Sequence, residues 1–182
     1  MNILNIVYKM TVKEAMTSYF NKLISLYKRE FGTLPTVPYN RECDSTLFVG
    51  HPDEDGEIQW EYSPAKTVRI ESLCEELNEF YSSFYYWQLR GKIGKYCFYF
   101  PPVINEQDAI KTAELAIERG KKVFPNEKYV MIASCDVAGF DGLDLIYDQN
   151  TNKLFFYDFD GERVIPCDYS LKFIISQMEV VI

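Results

Sequence analysis

From Thr11 to Phe31 the apolar residues Ala15, Met16, Tyr19, Phe20, Leu23, Ile24, Leu26 and Tyr27 recur every three or four positions, the spacing of one face of a helix. Thr11 followed by Glu14 has the form of a capping box, and Gly32 with Pro35 stops the run. TLPTVPYNREC reads as a loop punctuated by proline. STLFVG and EIQWEY then alternate as two strands around HPDEDG, a turn rich in Asp and Gly. A second helix is predicted from about Ile70 to Leu89, with Ile70, Leu73, Cys74, Leu77, Phe80, Tyr81, Phe84 and Trp87 on one face, and Gly91 and Gly94 ending it.

KYCFYF is a short strand closed by Pro101 and Pro102, since proline cannot continue a ladder. Asn105 caps a third helix that carries Ile110, Ala113, Ala116 and Ile117 on its apolar side and closes at Gly120. From Tyr129 the pattern becomes a meander of four strands, YVMIASC, GLDLIYD, KLFFYDFD and ERVIPCD, joined by Gly, Asp and Asn. SLKFIISQM at 170 to 178 is a closing helix capped by Ser170. The fold class predicted is α+β: one domain over residues 1 to 182, with a mainly antiparallel sheet flanked by helices.

Composition changes this picture little and narrows the chemistry. At 182 residues with 47% apolar content, the chain is long enough for one domain with a real core. Nothing approaches the ~18 uninterrupted apolar residues of a membrane span. The start, MNILNIVYKMTVKEA, lacks the pattern of a signal peptide, so a cytosolic protein is expected. Five cysteines at 43, 74, 97, 135 and 167 form no CxxC pair and read as reduced thiols packed as small hydrophobes. The single histidine, His51, rules out a triad with a supported base and any multi-histidine metal site. No metal or other cofactor is expected.

The net charge of −8 is unevenly spread. Residues 41 to 80 carry 11 acidic and 3 basic groups, and residues 129 to 182 carry 9 and 3, whereas the remaining two segments are each positive by three. Nucleic acid and anionic lipid both need a basic stripe, so neither is an expected partner and no lipid insertion is expected. Such a field attracts a basic protein instead.

The motifs that could carry catalysis mostly resolve into turns. DQNTNK at 148 to 153 begins like a calcium loop, but Lys153 stands where Gly is needed and Phe159 where the bidentate Glu belongs. DFDG at 158 to 161 and DEDG at 53 to 56 are tight-turn sequences, and GKIGK at 91 to 95 reads as a helix stop. Carboxylate pairs at Glu75 with Glu76, Asp141 with Asp144, and Asp158 with Asp160 keep a carboxylate-dependent hydrolase open as an alternative. In EFYSSFYYWQLRG at 79 to 91, Phe80, Tyr81, Phe84 and Trp87 share the core side. Tyr85 and Tyr86 point elsewhere and are expected at an interface.

The order of FGTLPTVPY at 31 to 39, Cys43, DGEIQWEYSP at 55 to 64, EELNEFYSSFYYWQLRG at 75 to 91 and SLKFI at 170 to 174 resembles the Syd family, within the wider SUKH superfamily. The correspondence runs over essentially the full chain, with Trp60, Pro64, Phe80, Tyr81 and Gly91 in the places that carry it; the segment DLIYDQNTNKLFFYDFDG looks more like SUKH proteins in general. The resemblance implies a non-catalytic binding module with an acidic concave surface. Its partner would be the cytosolic loops of the SecY translocation channel, basic by the positive-inside rule, or alternatively a toxin that the protein neutralises as an immunity protein. Localisation would be cytoplasmic, or peripheral at the inner membrane through SecY. The carboxylates expected at this surface are Glu42, Asp44, Asp53, Glu54, Asp55, Glu57, Glu61, Glu75, Glu76 and Glu79, joined by Tyr85, Tyr86 and Trp60, with Trp60 read as core before contact.

Overall fold

In the computed structural model, which describes residues 9–66, 68–137 and 140–182 apart from the side chains of Phe140 and Asp141, Thr11 caps helix α1 (Val12–Phe31). Its Oγ1 accepts from the Glu14 N–H at 3.1 Å while the Glu14 carboxylate accepts from the Thr11 N–H at 2.8 Å, so two backbone donors left over at the helix start are satisfied reciprocally. Gly32 ends the helix in the left-handed region, φ 72°, and its N–H reaches the Lys28 carbonyl. Residues 1–8 of the segment read for a signal peptide and the side chain of Asp141 lie outside the described residues.

The main sheet is antiparallel throughout and has the order β11-β10-β9-β8-β7-β6-β12. Its strands are β6 (Leu89–Ile93), β7 (Tyr96–Phe100), β8 (Tyr129–Val137), β9 (Phe140–Asp148), β10 (Lys153–Asp158), β11 (Arg163–Pro166) and β12 (Glu179–Val180). One face packs against α1, against α3 (Glu106–Val123) and against α4 (Leu171–Gln177) in a single large core that includes Tyr19, Phe20, Phe98, Leu145 and Phe156. On the other face Met131, Ile146, Phe155 and Tyr157 form a smaller cluster under Val123, Phe124 and Tyr129. The predicted single α+β domain with a large antiparallel sheet is what the chain forms. Among the described residues no helix is long and apolar enough to cross a membrane.

Helix α1 is tied to the sheet by polar contacts as well as by packing. The Tyr19 hydroxyl donates to the Arg90 carbonyl at 2.7 Å and accepts from the Arg90 N–H at 3.1 Å, satisfying the open edge of β6 where β12 does not reach. Burial pushes the Tyr19 phenol up to about 12. Lys22 donates to the carbonyls of Ser176 and Met178, clipping the end of α4, and burial lowers its pKa.

Four expectations are corrected. The helix expected from Ile70 to Leu89 is only α2 (Glu75–Ser82). Its start is set by Asn78, whose side chain accepts from the Ile70 N–H and donates to the carbonyls of Ile70 and Leu73, holding the preceding turn. Its end is set by Ser82 and Ser83, whose hydroxyls bond the carbonyls four residues back. The aromatic residues that follow take extended structure instead, with β5 (Phe84–Tyr85) pairing β4 (Ser63–Pro64) and Tyr86 bridging to Val103.

The loop 33–43 contains a strand, β1 (Thr36–Pro38), which joins β2 (Phe48–Val49) and β3 (Glu57–Trp60) in a sheet of order β1-β3-β2. Pro38 is tolerated there because β1 is an edge strand. GKIGK is the β6–β7 hairpin rather than a helix stop, and Gly94 takes φ 56° in its turn. Gly120 lies inside α3 rather than at its end: a Cβ there would sit 2.0 Å from the Tyr129 carbonyl oxygen, so the missing side chain is what lets helix and strand touch.

Candidate partner-binding surface

Asp53 builds the turn that joins β2 to β3. Its Oδ1 accepts from the N–H groups of Asp55 at 3.0 Å and Glu57 at 2.8 Å, its own N–H donates to the Glu57 carbonyl, and Gly56 closes the turn at φ 78°. Glu54 and Asp55 are thereby left exposed at the tip, and Glu57 is half-buried at the start of β3. None of these four carboxylates, nor Glu42 or Glu61, belongs to the ion pairs found among the described residues, which join Arg29 to Glu30, Arg69 to Glu75, Arg119 to Asp144 and Arg163 to Asp158.

The same small sheet presents exposed apolar groups. The Tyr39 N–H donates to the Gly56 carbonyl at 2.9 Å, placing its ring next to the acidic turn, 45% exposed and 5.3 Å from the ring of Phe48. Val49, 42% exposed, stands opposite Gln59. An acidic rim beside exposed aromatic and aliphatic side chains is the composition of a protein interface. Tyr39 follows a proline in what reads as a loop, and its only signal in the sequence is an aromatic residue in a polar segment.

Asp44 and Glu42 anchor the sheet to the rest of the molecule. The Asp44 carboxylate accepts from the Thr46 hydroxyl and N–H at 2.7 and 3.0 Å, and these bonds hold it below its ordinary value. The Glu42 carbonyl accepts from the Asn105 side chain at 2.7 Å, just before α3, leaving the Glu42 side chain exposed. The Glu61 N–H donates to the Leu47 carbonyl, and its side chain is half-buried.

The acidic residues of α2 are brought together in a groove of about 590 Å³, but each is already engaged by its neighbours. Glu75 pairs with Arg69 at 2.6 Å. Glu76 accepts from the hydroxyl of Tyr147 at 2.5 Å, which joins α2 to β9 and, together with burial, pushes the tyrosine far above its ordinary value. Glu79 accepts from the Val12 N–H at 3.0 Å, satisfying a free donor at the positive end of α1. Arg69 and Lys172 line the groove with them. Glu75 and Glu76, read as a pair, thus diverge to different partners.

The aromatic expectations are corrected by burial. Tyr85 is 2% and Tyr86 0% exposed, because the chain leaves the helix at Ser83 and turns both rings into the core; neither is available to a partner. Trp60 is likewise core, at 2%. Asp158, read as one of a pair with Asp160, instead accepts from Arg163 and from the Gly161 N–H, bonds that lower its pKa and build the β10–β11 turn. Among the described residues no group of three or more His, Cys, Asp or Glu side chains is arranged to hold a metal ion.

No protein-family model matches this chain, and no curated protein matches it either.

Proposed function

We propose that this chain is a non-catalytic, Syd-like binding protein whose β1-β3-β2 sheet engages a basic protein surface, the cytosolic loops of SecY in the first instance. The observation that carries the proposal is the turn at Asp53–Glu57, where four carboxylates without ion-pair partners among the described residues lie next to the exposed ring of Tyr39. The carboxylates would steer the encounter, and the apolar residues would supply most of the affinity. Glu76 and Glu79 are assigned a structural role instead, because each already bonds a neighbour inside the fold, while Glu75 stands in an exposed ion pair with Arg69.

Asp53 is needed to shape the turn, so the test reverses Glu54, Asp55 and Glu57 to Lys and leaves Asp53 in place. Association with SecY in proteoliposomes should slow by about tenfold or more at low salt and converge with wild type at high salt, where screening shortens to a few ångströms. Tyr39→Ala should act mainly on dissociation. An unchanged association rate at low salt would remove this surface from the proposal. The same salt-dependent effect with a toxin domain and not with SecY would keep the surface and change the partner.

A further inference from the structure

The small sheet β1-β3-β2 has one blunted edge and one open edge. At β1, Pro38 has no N–H to offer to a further strand. At β2, the Glu61 N–H donates to the Leu47 carbonyl at 3.0 Å, so by the alternation of an antiparallel ladder Val49 exchanges its backbone bonds with Gln59. A trans peptide unit carries its N–H and C=O on opposite sides, so the Phe48 carbonyl and the Gly50 N–H point away from β3. Among the described residues no strand pairs with β2 on that side.

The chain around this edge carries one sign of charge. Residues 44–64 hold six carboxylates, at Asp44, Asp53, Glu54, Asp55, Glu57 and Glu61, and no Lys or Arg. None of the six belongs to an ion pair found among the described residues. Val49 faces the same side of the sheet as Gln59, its partner, and by the two-residue period of a strand the same side as Glu57 and Glu61. An exposed aliphatic side chain therefore stands with a half-buried carboxylate diagonal to it in each direction along β3.

We infer that an extended segment of the basic partner adds to the outer edge of β2 as a fourth strand of this sheet, with an aliphatic residue beside Val49 and a Lys or Arg two positions to either side of it, over Glu57 and Glu61. The added strand presupposes the partner surface proposed above and specifies how the partner lies on it. The Phe48 carbonyl and the Gly50 N–H bond its backbone. It lies two strand spacings, about 10 Å, from β3, a gap that an extended Lys or Arg closes by meeting an extended Glu. Main-chain bonds are indifferent to sequence, so the alternating cations and the aliphatic residue between them select the segment. A segment with acidic residues in those places would meet like charge on both sides.

The test titrates the isotopically labelled full chain with two blocked heptapeptides of equal composition and charge. In Ac-Thr-Lys-Thr-Val-Thr-Lys-Thr-NH₂ both lysines share a strand face with the valine; in Ac-Thr-Lys-Thr-Val-Lys-Thr-Thr-NH₂ they lie three apart and fall on opposite faces in any register. The first peptide should give saturable amide shifts at Phe48, Val49 and Gly50, slow the hydrogen exchange of the Gly50 amide, and bind about threefold or more tightly than the second. Glu57→Gln combined with Glu61→Gln should abolish that preference. Equal affinity for both peptides, with shifts confined to the Glu54–Asp55 tip, would overturn the added strand and leave the acidic surface standing. A saturable response to neither peptide would overturn it as well, and the association rate with SecY decides the surface separately.

Discussion

The bond between Tyr147 and Glu76 decides whether Glu76 is a structural residue or a free surface carboxylate, and Tyr147→Phe isolates it. The ring is 0% exposed and packs in the main core, so the substitution changes no volume beyond the hydroxyl. What is lost is one hydrogen bond to an ionised acceptor at 2.5 Å, worth about 1.5–3 kcal/mol in general. Glu76 is half-buried and can recover part of that by turning to water, which places the expected loss near the lower end, at about 1.5 kcal/mol. Asn152, whose Oδ1 lies 3.1 Å from the same hydroxyl, offers no substitute for the missing donor. In urea unfolding the midpoint should fall with the slope unchanged, and the melting temperature should drop by about 3–6 °C for a domain of this size. Glu76→Gln should cost less, because a neutral acceptor remains. In the double variant the two losses should be less than additive by about 1 kcal/mol, the signature of a direct contact. Partner association should be untouched by Tyr147→Phe. Full additivity, or a loss below about 0.3 kcal/mol, would refute the structural assignment of Glu76 and return it to the set of available carboxylates.

Two further predictions concern the fold. Gly120→Ala would gain up to about 1 kcal/mol of helix propensity, but its Cβ would meet the Tyr129 carbonyl at 2.0 Å; the clash wins, and thermal unfolding should show a net loss of about 1–3 kcal/mol, whereas a stabilised variant would contradict the close packing of α3 on β8. Tyr19 has a folded pKa of about 12 against 10.0 unfolded, and burial raises Tyr81, Tyr86 and Tyr147 in the same direction. Protonated phenols therefore favour the folded state, with the full contribution present below pH 10 and lost as pH rises from 10 towards 12. Urea midpoints measured across that window should fall steeply, and Tyr19→Phe should shallow the fall; a flat profile would contradict the burial of these rings.

Periodicity was informative wherever one face of an element is buried and the other wet. The capping box at Thr11, the cap residues Asn105 and Ser170, and the four-strand meander from Tyr129 all appear as read, because their signals are local. The stretch Ile70–Leu89 misled for a physical reason: aromatic residues such as Phe84, Tyr85 and Tyr86 satisfy helical spacing and strand propensity equally. Contacts distant in sequence, Ser63 with Tyr85 and Val103 with Tyr86, choose between them. Gly120 and Gly91 misled in the same way, since a glycine required by close approach of a neighbouring strand looks in sequence like a helix stop.

Among the acidic residues, the sequence determined number and clustering, and with them the sign of the field. Which carboxylates face a partner was decided only by tertiary structure. Glu79 lies 67 positions from the Val12 amide it satisfies, and Glu76 71 positions from Tyr147. No local pattern encodes those pairings. The acidic turn at Asp53–Glu57 stays free for the opposite reason: the hydrogen bonds of the Asp53 carboxylate close within five residues, so the outer charges of Glu54 and Asp55 are left to the solvent.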